Sequence, residues 1–253
     1  MKLVRKYLFF LLLILLPVNV GKHFDLDAAY ISGITVDYLV PVIYVQDIVC
    51  FVLVVDWILF GNFRKSSNFS KSCSFLIFFI FAVFLSFLLS EFPLTSFIYF
   101  FRLLLYSILG FYVATNIGKN KEIEFSEILP FFEIAVIYAS LLGIAQFYKQ
   151  ESVFNNYLIL GEQPYNTSLK AILKENFLGK SFIPPYSLFR HPNTFAGFLS
   201  LLLPFLWYFR QHGKNLSFWI SFVLGIICLG LTFSLVAIVS FIVSMVLLFC
   251  MKR

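Results

Sequence analysis

Apolar residues gather along the chain into long runs separated by short polar breaks. The runs are Leu8 to Val20, Val42 to Phe60, Ser74 to Leu89, Ser96 to Ile117, Ile128 to Tyr148 and Thr194 to Phe209. A last run, Leu216 to Cys250, is too long for one bilayer-spanning helix, for which about 20 residues suffice. Thr232-Phe233-Ser234 marks the expected turn within it. The pattern therefore predicts eight helices. One stretch differs: from Lys149 to Arg190, Gly, Pro, Asn, Glu and Lys break every apolar patch. Such a segment cannot cross hydrocarbon. Within it Leu169, Leu173 and Phe177 recur at a spacing of four beside Lys170 and Lys174. That spacing predicts short amphipathic helices lying on a membrane surface. The expected fold is all-α: one membrane domain over residues 1–253, a polytopic transmembrane helical bundle of about eight spans, with a partly helical outer loop at 149–190.

Composition sharpens the class. Hydrophobic residues make up 60% of the 253 positions and charged residues 13%, against about 25% charged in ordinary globular chains. So little polar surface suits lipid as solvent. The net charge of +6 does not point to nucleic acid, because the basic residues form no patch with interleaved aromatics. They cluster between apolar runs instead. With the amino terminus in the cytoplasm, the inner connections hold Lys2, Arg5, Lys6, Arg64, Lys65, Lys71, Lys119, Lys121, Arg210, Lys214, Lys252 and Arg253, and the short outer connections hold only Lys22. This is the positive-inside distribution. The first run follows Lys2, Arg5 and Lys6 like a signal peptide, but Val18-Asn19-Val20-Gly21 is a poor cleavage site. An uncleaved first helix is expected. Cys50, Cys73, Cys228 and Cys250 lie in or beside apolar runs without CxxC spacing, which gives no support to a disulfide or a metal site.

Charges inside apolar runs are the first candidates for chemistry. Arg102 lies about 9 Å below the outer boundary of its run by helical rise. It either snorkels to the outer headgroups or faces the bundle and holds a phosphate. Asp47 shares a stripe with Tyr44, and Tyr38 lies just upstream, so an inward polar contact is open to it. Asp56, beside Trp57, and Glu133 read as interfacial residues. The most informative stretch is Tyr186 to Asn193, at the entry to the sixth run. Pro192 suits the first turn of a helix, and Asn193 can bond backbone donors there. Either this is only a helix-entry cap, or Arg190 and His191 join the helix terminus in an anion site. His191 is also a candidate general base.

Tyr186 to Leu203, YSLFRHPNTFAGFLSLLL, resembles the hallmark of the O-antigen ligase and polymerase family. That family shows R-P-Y-G-x-F-x-H-P-N-x-x-A-G-F-L at an outer loop-to-helix junction. Three further stretches resemble it in order: Asp37 to Asp47; Leu160-Gly161-Glu162 with Pro164 to Ser168; and Leu231-Thr232-Phe233-Ser234, which is similar to an L-T-x-S-R-G turn. The resemblance spans nearly the whole chain. It implies transfer of a glycan from an undecaprenyl-diphosphate carrier at the outer face of the bacterial cytoplasmic membrane, without metal or cofactor, to an acceptor that the sequence does not identify. Taken with the depth of Arg102 and the helix start beside Arg190 and His191, the resemblance leads to the expectation that Arg102, Arg190 and His191 converge near the outer interface and, with Asn193, bind the diphosphate. The family's R-P-Y-G arginine falls at Pro184 and its glycine at Ser187, and the S-R-G turn reads Ser234-Leu235-Val236. The family's catalytic histidine lies in a large late outer loop, to which none of His23, His191 and His212 corresponds. The expectation is thus the amino-terminal part of such a glycosyltransferase. The alternative is a non-catalytic relative or inactive fragment, with a transporter less favoured because no paired Gly/Pro-broken helices occur.

Overall fold

The computed structural model describes residues 2–36, 39–61, 69–118, 121–169, 172–177, 179–210 and 216–251. Among these residues, one α-helix overlaps each of the first six apolar runs and two fall in the last: α1 (Lys2–Ile14), α2 (Val45–Phe60), α3 (Phe69–Leu88), α4 (Pro93–Asn116), α5 (Phe125–Lys149), α6 (Pro192–Phe209), α7 (Leu216–Leu231) and α8 (Leu235–Met251). Two of them, α4 and α5, are long and apolar enough to cross a membrane by length and composition. Short strands also occur: β1 (Gly21–His23), β2 (Tyr30–Ile31), β3 (Ile34–Thr35), β4 (Val42–Tyr44), β5 (Glu175–Phe177) and β6 (Lys180–Phe182). They form three antiparallel pairs, β1 with β4, β2 with β3 and β5 with β6. The first run continues to Val20, yet α1 stops at Ile14. Pro17 explains the difference, because it lacks an N–H and disfavours the helical conformation of the residue before it.

The chain folds as two compact units. The first comprises residues 1–9 and 21–123. In it α4 packs against both α2 and α3. Asp47 starts α2 by accepting the Tyr44 N–H at 3.0 Å, which satisfies a donor that the helix itself leaves open. Pro93 opens α4, where its missing N–H costs nothing. Thr95 then donates to the Leu39 carbonyl at 2.8 Å, tying the helix start to the segment before β4. Asp56 does not stand alone beside Trp57: the Arg5 Nε donates to it at 2.7 Å.

The second unit comprises residues 10–20 and 124–253. Here α5 packs on α6 and α7, and α6 packs on α7 and α8. The core between them contains Val136, Ala139, Phe195, Leu199, Leu203 and Cys228, all fully buried. Gly143 permits the close approach: a Cβ there would lie 2.7 Å from the Cys228 sulfur and 2.9 Å from the Phe195 ring. Glu133, read from sequence as interfacial, is only 4% exposed and accepts from the Ser217 hydroxyl at 2.5 Å.

The loop at 149–190, expected to be partly helical, departs from expectation. Between α5 and α6 no helix occurs among the described residues; the chain forms turns and the β5–β6 hairpin, with Gly179 at φ 78°. The apolar spacing of four at Leu169, Leu173 and Phe177 is overridden by turn chemistry. Asn156 and Asn166 bond backbone N–H groups two residues ahead, which favours turns over helix. Pro184 and Pro185 then remove two donors. Of the residues given a role from sequence, Asp37, Tyr38, Arg64, Lys65, Lys119, Lys170, His212, Lys214, Lys252 and Arg253 lie outside the described residues.

Candidate functional site

The entry to α6 is built from the inside out. Leu188 is fully buried and packs with Val18 and Leu142. Phe189 stacks on Phe195 at 5.5 Å between ring centroids. The next two side chains, Arg190 and His191, are exposed. His191 is the N-cap residue of α6, with extended backbone (φ −147°, ψ 142°). Its Nδ1 accepts the Asn193 N–H at 3.1 Å. Its carbonyl accepts from Thr194 at 3.0 Å and from Phe195 at 3.3 Å. Pro192, at the first helical position, has no N–H.

Two sequence expectations change here. The cap is the His191 ring rather than the Asn193 amide. Asn193 stands one residue inside the helix, where its own N–H needs a partner. The first-turn N–H groups are also engaged by His191, so an anion at this end meets side chains before backbone. Because Nδ1 accepts, the proton of the neutral ring is on Nε2. The ring therefore offers a donor outward, and general-base work would require the cap to break.

Beneath this entry lies a buried polar network. Ser187 has φ 51°, a region that costs a non-glycine residue of order 1–2 kcal/mol. It is the position where the resembled pattern carries glycine. Ser187 is held there by three hydrogen bonds. Its N–H donates to Gln146 Oε1 at 2.6 Å, its carbonyl accepts from Gln146 Nε2 at 2.9 Å, and its hydroxyl donates to the Ala139 carbonyl at 2.8 Å. Gln146 Nε2 also donates to Glu162 at 2.7 Å. Glu162, fully buried, accepts in addition the N–H groups of Val153 and Phe154 at 2.7 and 2.6 Å. Four residues on from Gln146, the C-cap residue Gln150, just past the end of α5 at φ 58°, pairs with Ile183. It accepts the Ile183 N–H at 2.7 Å and donates toward the Ile183 carbonyl at 3.5 Å. Gly161, at φ 85°, lets the loop abut Asn19, whose carbonyl carbon would lie 2.3 Å from a Cβ.

Two tyrosines close this layer. Tyr165 and Tyr186 sit with ring centroids 5.1 Å apart. Burial, and then the nearby Glu162 charge, push the Tyr165 phenol above its ordinary value. Burial raises Tyr186 as well, partly offset by the hydrogen bond from Leu173. Gln146 and Gln150 were not singled out from sequence. Their signal was present, as two amides four apart at the end of an otherwise apolar run.

Arg102 belongs to the first unit, whereas Arg190, His191 and Asn193 belong to the second. Arg102 forms an ion pair with Asp47: Nη2 lies 2.9 Å and Nε 3.1 Å from Oδ2. Nη2 also donates to the Val42 carbonyl, and the guanidinium sits 5.0 Å from the Tyr44 ring centre. Tyr106 donates to the same carboxylate at 2.7 Å. Beside the pair runs a cleft of about 380 Å³ whose walls include Ile43, Ile48, Phe51, Phe97 and Phe101. Apart from the pair this lining is apolar, so the cleft suits a hydrocarbon chain. No group of three or more His, Cys, Asp or Glu capable of holding a metal occurs among the described residues.

Comparisons with protein-family models, with characterised proteins and with solved structures find no match.

Proposed function

We propose that this chain is a multi-pass protein of the bacterial cytoplasmic membrane that binds an undecaprenyl-diphosphate-linked glycan at the outer face, in the manner of O-antigen ligases and polymerases. On this reading the eight helices are spans, the amino terminus is cytoplasmic, and the residues between α5 and α6 lie outside. The apolar exposure supports a lipid environment. On α8 alone Val236 is 80%, Val239 57%, Ile242 53%, Val246 54% and Leu247 58% exposed, a surface that water would not tolerate.

The α6 entry carries the functional part. Arg190 and His191 are exposed on a backbone fixed from beneath by buried hydrogen bonds. A guanidinium and an imidazole N–H are suited to diphosphate oxygens. In glycan transfer the diphosphate is the leaving group, and cationic donors stabilise the charge that develops on it. The acceptor bond to Asn193 favours a second reading, a binding role without catalysis by His191, because Nδ1 is already committed. Binding of undecaprenyl diphosphate to the purified protein in detergent tests the proposal. Loss of one charge-assisted contact in Arg190→Ala should weaken binding roughly 10- to 150-fold. Wild-type binding that Arg190→Ala changes by less than about twofold would place the diphosphate elsewhere.

A further inference from the structure

We infer that Gln146 and Gln150, with Glu162 behind them, are positioning residues that set the register of the Arg190–His191 pair, an inference that rests on the diphosphate reading above. The segment leading to the pair is Ile183-Pro184-Pro185-Tyr186-Ser187. Its two prolines have no N–H and cannot join a strand ladder. Glutamine side chains hold two residues of this segment instead: Gln146, in the last turn of α5, holds Ser187 on both its N–H and its carbonyl, and Gln150, the C-cap just past α5, accepts the Ile183 N–H while its NH₂ donates to the Phe147 carbonyl at 2.6 Å. The Gln146 amide acts as a one-residue strand partner. Glu162 fixes which way the Gln146 amide faces. It accepts from Gln146 Nε2, so the oxygen end is turned to the Ser187 N–H. The carboxylate is itself locked by the Val153 and Phe154 N–H groups, which leaves the amide no equivalent flipped state. From Ser187 only Leu188 and Phe189 intervene before the pair, and both are packed. An error in the clamp therefore passes directly to Arg190 and His191.

The experiment compares wild type, Gln146→Leu, Glu162→Gln and Arg190→Ala in detergent. The readouts are binding of undecaprenyl diphosphate, amide hydrogen exchange at Ser187 through Arg190, and helix content. Gln146→Leu keeps side-chain bulk and removes both bonds to Ser187. Glu162→Gln must turn an NH₂ toward one of three donors, and it serves as the second variant if the first does not fold. Either clamp variant is expected to speed exchange at Ser187 at least tenfold and to weaken binding at least tenfold, with helix content kept. Arg190→Ala is expected to weaken binding with Ser187 exchange unchanged. Faster exchange with binding altered by less than twofold makes the clamp merely structural and overturns the inference. If the wild type itself does not bind, the diphosphate reading fails separately. Exchange then decides the clamp, and unchanged exchange in both clamp variants overturns it.

Discussion

Replacing Asp47 by alanine strands a cation. Asp47 accepts from Arg102 Nη2 at 2.9 Å, from Tyr106 at 2.7 Å and from the Tyr44 N–H at 3.0 Å. The side chains of Arg102 and Asp47 keep 19% and 12% of their exposure, so solvent screens the pair only weakly. Removing one partner of a buried pair costs about 3–5 kcal/mol, because the other charge is left uncompensated. The remaining exposure puts Asp47→Ala near the lower end, about 3 kcal/mol. Arg102→Met keeps the stem packed, and it leaves Asp47 with the Tyr44 and Tyr106 donors. It should cost about 2 kcal/mol. The double variant buries no lone charge. Its loss should fall short of the sum of the two by about 2 kcal/mol, within the range measured for groups in contact. Reversible unfolding in mixed micelles, followed by tryptophan fluorescence, measures all three; Trp57 lies in the same unit. A coupling below about 0.5 kcal/mol, the usual limit of additivity, would refute the ion pair as a stabilising contact.

Two further outcomes follow from packing and titration. Gly143→Ala places a methyl 2.7 Å from the Cys228 sulfur and should cost about 1–3 kcal/mol; Cys228→Ala should recover part of that in the same thermal-melt assay, and no recovery would mean that the Phe195 ring sets the clash. Tyr165 has a folded-state value raised above the unfolded one, so its contribution is complete below about pH 10 and is lost as pH rises toward the folded value. Tyr165→Phe removes the ionisable group, so it should lose less stability than wild type between pH 10 and 12, which melts across that range would check.

The helices were legible because the determinant is local: each apolar run alone fixes where a helix can lie. Two exceptions lie inside runs: α1 ends early for a local cause, Pro17, and Val42–Tyr44 at the start of the second run forms β4 rather than helix. The loop between α5 and α6 was not legible in the same way. Leu169, Leu173 and Phe177 gave a helical period, but what holds this region are contacts between residues far apart in sequence, such as Gln146 with Ser187 and Gln150 with Ile183. At the α6 entry the position of the helix start was readable from Pro192, while the capping group was misassigned. A cap must precede the first helical residue, and with proline in that place the residue before it, His191, is the cap. The Arg102–Asp47 pair spans fifty-five positions. Its one signal was that both charges lie toward the outer ends of their runs, at similar predicted depth.

Geometry explains why the loop is clamped by glutamines and not by a strand. The end of a helix presents carbonyls along its axis, so it cannot serve as a sheet edge for a passing chain. A glutamine side chain projects sideways and carries one donor and one acceptor, the complement of a single residue in an extended segment. Gln146 projects from the last turn of α5, and Gln150 is the residue just past it, at φ 58°. The composition of the segment from Ile183 to Ser187 shapes its path. Pro184 and Pro185 fix their own φ near −65°, and Ser187 turns into the left-handed region at φ 51°. That turn ends the extended path at the residue the second glutamine meets, and sends Leu188 inward and His191 to the head of α6. The strained φ, the two prolines and the paired amides are thus parts of one solution. A change to any of them acts on the placement of Arg190 and His191 even where it touches neither.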